Sequence, residues 1–491
     1  MHELALHDLR RVHFVGVSGS GVSAVAGLSL AMGMQVTGSA NEDNNLTRAL
    51  AARGMRFFLG HRAGQAGAAD AVVRSAAVSP DNPEVAGARR RGVPVLLYAE
   101  YLGLLMSDRR GVAVAGTHGK TTTTALITWL LDRGGLDPLA VCGGVMSNYG
   151  SNARFGRGGY LVAEACEYHR SFLFLKPRVA MVTNIEADHL DYYRDLEEIR
   201  EAFGRFLSGI HPEGCAVVNG DDPGVREVIR SVRLREEGYG TEGARGGRGA
   251  AGYGAAPLLV TVGTGPSNSY RIGGLSQRGG RYRFTLEGEG AGLHVMLPLP
   301  GRFNCINAAL AVVCALRLGV PSQVIEEAVR SFRGTWRRLE LLGSWRGGPV
   351  YTDYAHHPTE IASSLEALRE AHPDKPLTAV FQPHQYSRTV LLFDGLVESL
   401  SRADTPVVTE VYRQRDTDEH VRSVSARDLT GALRARNPRA LYAGDRDRVP
   451  GLLREHSPAG AVVLFMGAGD IDETARHLTR GEGGDEAGTA R

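Results

Sequence analysis

Apolar residues fall along this chain in short β-branched runs, each ending in a glycine or carboxylate turn and followed by a segment with helical spacing. Val12–Val17, Gln35–Gly38, Ala71–Val73, Val93–Leu96, Val112–Ala115, Tyr160–Glu164 and Val179–Ile185 are such runs in the first half. Val350–Tyr354, Leu377–Phe381, Thr405–Val411 and Ala461–Phe465 are their counterparts in the second. Runs this short and this rich in valine predict buried strands, whereas Ser23–Met32, Ala99–Met106, Asn304–Leu318 and Val390–Leu400 predict helices. Such alternation predicts an α/β chain with mostly parallel sheets, whose ligands sit at the carboxyl ends of strands.

Breaks in the rhythm set the expected domains. The polar stretch Ser107–Arg110 predicts a boundary near residue 108, and Ser331–Arg338, with Gly334 before Arg337 and Arg338, predicts a hinge. The expected units are residues 1–108, 109–334 and 335–480, with a disordered tail over 481–491. Residues 238–257 are glycine- and alanine-rich without an apolar period and predict a mobile surface loop. A chain of 491 residues exceeds what one core usually organises, in keeping with several domains.

Composition narrows the class without naming a function. At 43% hydrophobic and 22% charged, with 56 basic against 54 acidic residues interspersed, the chain is ordinarily globular and carries no nucleic-acid surface. The cluster Arg89–Arg91 reads as a solvated helix end. No apolar run approaches the ~20 residues of a membrane span, and no secretory signal pattern opens the chain. Five scattered cysteines, never in a Cys-x-x-Cys pair, predict thiols in a reducing cytoplasm.

The sharpest chemistry lies in Val112–Leu131, VAVAGTHGKTTTTALITWLL. An apolar strand stops at Gly116, Thr117, His118 and Gly119, and Lys120, Thr121 and Thr122 then open an apolar helix. Phosphate fits such a junction because glycines admit backbone N–H groups, the helix start presents unpaired donors, Lys120 adds charge and Thr121 can hold Mg2+. Val114 stands where the full nucleotide-binding pattern has its first glycine. Two other strands end in Glu164 and in Glu186, Asp188 and His189, which places Glu164 and His189 on the same rim as metal ligands. The opening strand likewise runs into Gly16, Gly19 and Gly21, where a diphosphate is expected on the helix that follows Gly21. In the last third, Asp353, His356 and His357 precede a helix, and His384 and Arg388 follow a strand; Arg388 has the shape to grip a carboxylate.

Seven blocks, GTHGKTTTT (116–124), EACEYHRSFL (164–173), TNIEADHLDYY (183–193), GRFNCINAALA (301–311), DYAHHPTE (353–360), FQPHQYSRT (381–389) and MGAGDI (466–471), resemble the Mur ligase family. The resemblance implies three domains: an N-terminal Rossmann-like one for a UDP-sugar, a central P-loop-type ATPase and a C-terminal Rossmann-like one for an amino acid. It is greatest to the members that add L-alanine to the lactyl carboxylate of UDP-N-acetylmuramate, using ATP and Mg2+, the first peptide step of peptidoglycan precursor synthesis. Implied roles are phosphate binding for Lys120, metal binding for Thr121, Glu164 and His189, adenine contact for Asn304 and Asn307, and nucleotide contact for Arg337 and Asp353. His356 and Arg388 would meet the alanine and the reacting carboxylate; Gly16, Gly19, Gly21, Ser39 and Asn152 would meet the UDP-sugar. The chain departs from the family at Ser18, Ala40 and Tyr98, where glycine, aspartate and arginine are usual. A ligase that reattaches a preformed peptide to the same sugar, and a catalytically silent nucleotide-binding relative, are the alternatives. The partners expected are these two substrates, without nucleic acid or membrane insertion, in a monomer or a dimer.

Overall fold

The computed structural model describes residues 4–190, 192–236, 256–289, 291–414 and 416–480. The tail from Gly481 lies outside the described residues, as does nearly all of the glycine-rich stretch 238–257. Mixed α/β structure is arranged around three sheets. The first has five parallel strands in the order Arg56–Leu59, Gln35–Ala40, Arg11–Val15, Ala71–Arg74, Val95–Leu97. Val12, Phe14 and Val15 are buried on the central strand, which explains why its sequence reads as a nearly continuous apolar run.

The second sheet is the largest. Its order runs Ser151–Phe155, Leu139–Met146, Tyr160–Glu164, Arg110–Ala115, Val179–Val182, Cys215–Asn219, Leu258–Gly263, Tyr270–Arg278, Arg281–Gly288, Ala291–Leu297; Arg235–Glu236 also pairs with Leu258–Gly263. Parallel pairing of Arg110–Ala115 with both Tyr160–Glu164 and Val179–Val182 brings the phosphate-loop strand between the two acid-ended strands. In the third sheet the order is Glu340–Trp345, Gly348–Asp353, Val462–Met466, Leu377–Phe381, Thr405–Thr409, Leu441–Gly444, antiparallel only at the first pair.

The chain divides into two compact units. One holds Met1–Leu275, Phe284–Val295 and Ile306–Phe332, and within it a single apolar cluster runs from Phe14 and Tyr101 to Phe172 and Phe203. The other gathers Ser276–Arg283, Met296–Cys305 and the chain from Arg333 onward. Among the described residues no helix is long and apolar enough to cross a membrane. All five cysteines are free thiols.

Two expected helices are corrected. The first begins at Ser20, not Ser23, because Gly19 in extended backbone serves as its N-cap. Gly21 therefore lies inside the first turn, where a Cβ would stand 3.2 Å from the Tyr98 ring; packing, not a turn, calls for glycine there. The expected helix Val390–Leu400 is two helices, Tyr386–Leu391 and Phe393–Leu400, which meet at Leu392, outside helical backbone. Apolar spacing continues across that joint, so periodicity reads through it.

Candidate functional site

Strand Arg110–Ala115 ends at Gly116, whose φ of +136° and close neighbours exclude any side chain: a Cβ would lie 2.0 Å from Thr183 Oγ1. Gly119, with φ +83°, caps the helix Lys120–Arg133, and a Cβ there would meet Asn307 Oδ1 at 2.5 Å. Between them the loop is pinned by the segment after Val179–Val182. His118 N–H donates to Asn184 Oδ1 at 2.8 Å, Thr183 Oγ1 donates to the His118 carbonyl at 2.6 Å, and Glu186 N–H donates to Thr117 Oγ1 at 2.9 Å. A loop so fixed keeps the first N–H groups of the following helix available for an anion.

Thr121, 5% exposed, donates its hydroxyl to Glu164 Oε1 at 3.2 Å, and Gly143 N–H donates to Glu164 Oε2 at 2.7 Å. The strand-end rule thus brings a hydroxyl and a carboxylate together beside the loop, both oxygen donors suited to Mg2+. Among the described residues no group of three or more His, Cys, Asp or Glu is arranged as a metal cage. His189 lies beside Glu167 and Asp188: its Nε2 is 4.0 Å from Glu167 Oε1 and 3.9 Å from Asp188 Oδ2. Glu167 is the residue that sequence reasoning missed. It is 3% exposed and takes an ion pair from Lys120 Nζ at 2.9 Å, which also donates to the carbonyls of Gly116 and Thr117. Burial, the largest single influence, would lower the lysine's pKa; the attraction of Glu167, Cys166 and Glu164 and the Glu167 hydrogen bond together outweigh it and raise the pKa above its ordinary value. The signal for Glu167 was a second acid three residues past Glu164.

In the first sheet, Ser39 gives its carbonyl to the N–H groups of Gly16 and Val17 and its hydroxyl to Glu84, which ties the glycine turn to the sheet. Asn152 donates to the carbonyl of Ser20 at 2.9 Å and so braces the start of that turn's helix. Asn304 and Asn307 are buried one turn apart on the helix Arg302–Arg317; Asn304 donates to the Pro300 carbonyl at 2.7 Å.

The second unit holds its own cluster. His384 accepts from Arg388 Nη1 on Nδ1 at 3.2 Å and donates from Nε2 to Gln414 Oε1 at 2.9 Å, and the His356 ring is 6.5 Å away. Burial, then Arg388 and His356, lower the His384 pKa to about 4, so the ring is neutral near pH 7 and can accept from Arg388. His356 itself donates from Nδ1 to the Tyr354 carbonyl at 3.0 Å. Arg337, with left-handed backbone, donates to the carbonyls of Gly467 and Gly469, and Asp353 accepts from the Leu339 and Ala355 amides at 2.8 Å each.

Family models match three successive stretches: the Mur ligase family, catalytic domain over residues 11–110, the Mur ligase middle domain over 114–315, and the Mur ligase, glutamate ligase domain over 337–469. The chain is 40% identical to a UDP-N-acetylmuramate--L-alanine ligase of Aquifex aeolicus, over 95% of this chain and 96% of that one. It is 39% identical to the Methylobacillus flagellatus protein of the same name, over 96% of each. Among solved structures, a UDP-N-acetylmuramate-alanine ligase from Thermotoga maritima superposes with a TM-score of 0.75 at 28% identity, covering 96% of this chain and 99% of that one. A murein peptide ligase from Psychrobacter arcticus shares the fold, with a TM-score of 0.67 at 22% identity over 97% and 99% of the two chains.

Proposed function

The chain belongs to the Mur ligase family, and from that membership we propose that it joins L-alanine to the lactyl carboxylate of UDP-N-acetylmuramate, converting ATP to ADP and phosphate. The observation that carries this reading is the Thr121–Glu164 pair beside Lys120, on a loop whose glycines admit no side chain. The reaction belongs in the cytoplasm, where ATP is supplied.

A lactyl carboxylate oxygen attacks the terminal phosphorus of ATP, and ADP departs. The amine of alanine then attacks the acyl phosphate carbon, loses a proton, and phosphate leaves from the tetrahedral intermediate. The chain's residues position reactants and neutralise charge. Lys120 and the helix-start amides hold the terminal phosphates, and Asn307 packs against Gly119 to keep the loop in place. Thr121 and Glu164 would hold one Mg2+ and Glu164 with His189 a second, supplying further charge neutralisation on the phosphates. Asn304, Arg337 and Asp353 serve the nucleotide. Arg388, oriented by neutral His384, serves a carboxylate together with His356. Gly16, Gly19, Ser39 and Asn152 serve the UDP-sugar, and Gly21 keeps their helix close to Tyr98.

Phosphate release from ATP with UDP-N-acetylmuramate tests the proposal, with L-alanine, glycine, L-serine and an intact tripeptide as amines. Release is expected with L-alanine, and Lys120→Ala should lower it by on the order of a thousandfold. Release with the tripeptide but not alanine would sink the assignment, and near-normal turnover in Lys120→Ala would refute the lysine's phosphate role.

A further inference from the structure

An ammonium group has three N–H donors, and Lys120 uses all three on the protein: the Gly116 carbonyl, the Thr117 carbonyl and Glu167 Oε1. The loop is closed on its own lysine. A phosphate oxygen that enters must displace one of these acceptors. The two carbonyls are neutral and belong to the pinned loop, whereas Glu167 carries a charge that would repel an arriving anion across a few ångströms of largely buried space. Glu167 is therefore the acceptor that leaves.

The surroundings give it somewhere to go. Its backbone is fixed, because the Glu167 carbonyl accepts from Tyr193 Oη at 2.6 Å and from Arg170 N–H at 2.8 Å; only the side chain is left to turn. Its Oε2 is buried without a hydrogen-bond partner among the described residues, which is costly for a carboxylate oxygen. Its Oε1 already lies 4.0 Å from His189 Nε2. His169, Arg170 and His189 all sit in left-handed backbone, at φ 52°, 54° and 54°, a strain that persists where the surroundings hold a site in shape.

We propose that Glu167 is a placeholder for the nucleotide's terminal phosphate, holding Lys120 while the loop is empty and turning toward His189 when phosphate takes the lysine. The exchange keeps Lys120 paired in both states. It rests on the phosphate-loop reading above, and it makes Glu167 a positioning residue that competes only with nucleotides long enough to reach Lys120.

Calorimetric titration of ATP and of AMP, without sugar or amino acid, tests it on wild type, Glu167→Gln and Glu167→Asp. Glu167→Gln is expected to bind ATP on the order of tenfold more tightly, since the competing charge is gone, and to leave AMP affinity unchanged. Glu167→Asp keeps the charge on a shorter arm and should fall between the two, which serves if the glutamine variant folds poorly. In thermal melts without nucleotide, Lys120→Met and Glu167→Gln should be non-additive, the double variant losing less than the sum of the two singles. Weaker or unchanged ATP binding in Glu167→Gln would overturn the placeholder role. No ATP binding to wild type would instead overturn the phosphate-loop reading.

Discussion

Asp353 and His384, both in the second unit, carry opposed proton linkages. Burial lifts the Asp353 carboxyl to about 6, against the pull of Arg338, whereas an unfolded chain loses that proton near pH 4. Between those values the folded chain keeps a proton the unfolded one has lost, so stability falls as pH rises. His384, lowered to about 4 from an unfolded value near 6.5, does the reverse: the unfolded chain binds the extra proton, and stability rises with pH. Each linkage is worth on the order of 3 kcal/mol, so the two nearly cancel between about pH 4 and 6. His384→Gln should unmask melting temperatures that fall as pH rises across that window, and Asp353→Asn should unmask ones that rise. Flat profiles in both variants would show that neither group titrates as described. At this scale the sequence was informative where chemistry sits on a strand end or glycine turn, as for Thr121, Glu164 and Lys120. For Glu167 it offered only a second acid three residues past Glu164, and nothing in that spacing announced the left-handed backbone of His169 and Arg170 just beyond it.

One acid beside the first sheet ties two of its strands and a loop to its own helix. Glu84 is fully buried at the start of the helix Pro83–Arg90, where a negative charge is favoured, and it accepts from Ser39 Oγ at 2.6 Å. His61 Nδ1 lies 2.7 Å from Glu84 Oε2, and His13 Nε2, on the central strand, lies 3.2 Å from Oε1. Burial opposes the charge, but hydrogen bonds from His13, Ser39 and His61 hold its pKa below the usual carboxylate value. Glu84→Ala strands two histidines and should cost ~3–5 kcal/mol in urea unfolding. A variant as stable as wild type would show that the network does nothing for the fold. Strands of this sheet such as Arg11–Val15 were legible because their buried faces make continuous apolar runs. The short edge strand Arg56–Leu59 was not, since neither face is fully covered and its residues carry no clear period. The hairpin Leu139–Met146 with Ser151–Phe155 escaped for a related reason: glycines and polar residues interrupt it where it bends.

For the whole molecule, the alternation of strand and helix announced parallel sheets, because buried strands and their covering helices leave different periods in one dimension. Membership of a compact unit leaves no such trace. Tyr282 and Arg302, which precede Arg333 in the chain, both bond Glu370, and all three belong to the unit built around the third sheet. A fragment starting at Arg333 keeps the sheet but leaves Glu370 without those partners. Such a fragment should unfold at lower urea than the same unit in the full chain, read from Trp336 and Trp345 in a Trp129→Phe background; equal midpoints would contradict this. On the ribosome the same arrangement imposes an order of events. The segments with Tyr282 and Arg302 emerge first and wait, unburied, until the helix bearing Glu370 has been synthesised, and in that interval the nascent chain is open to chaperones and to mispairing.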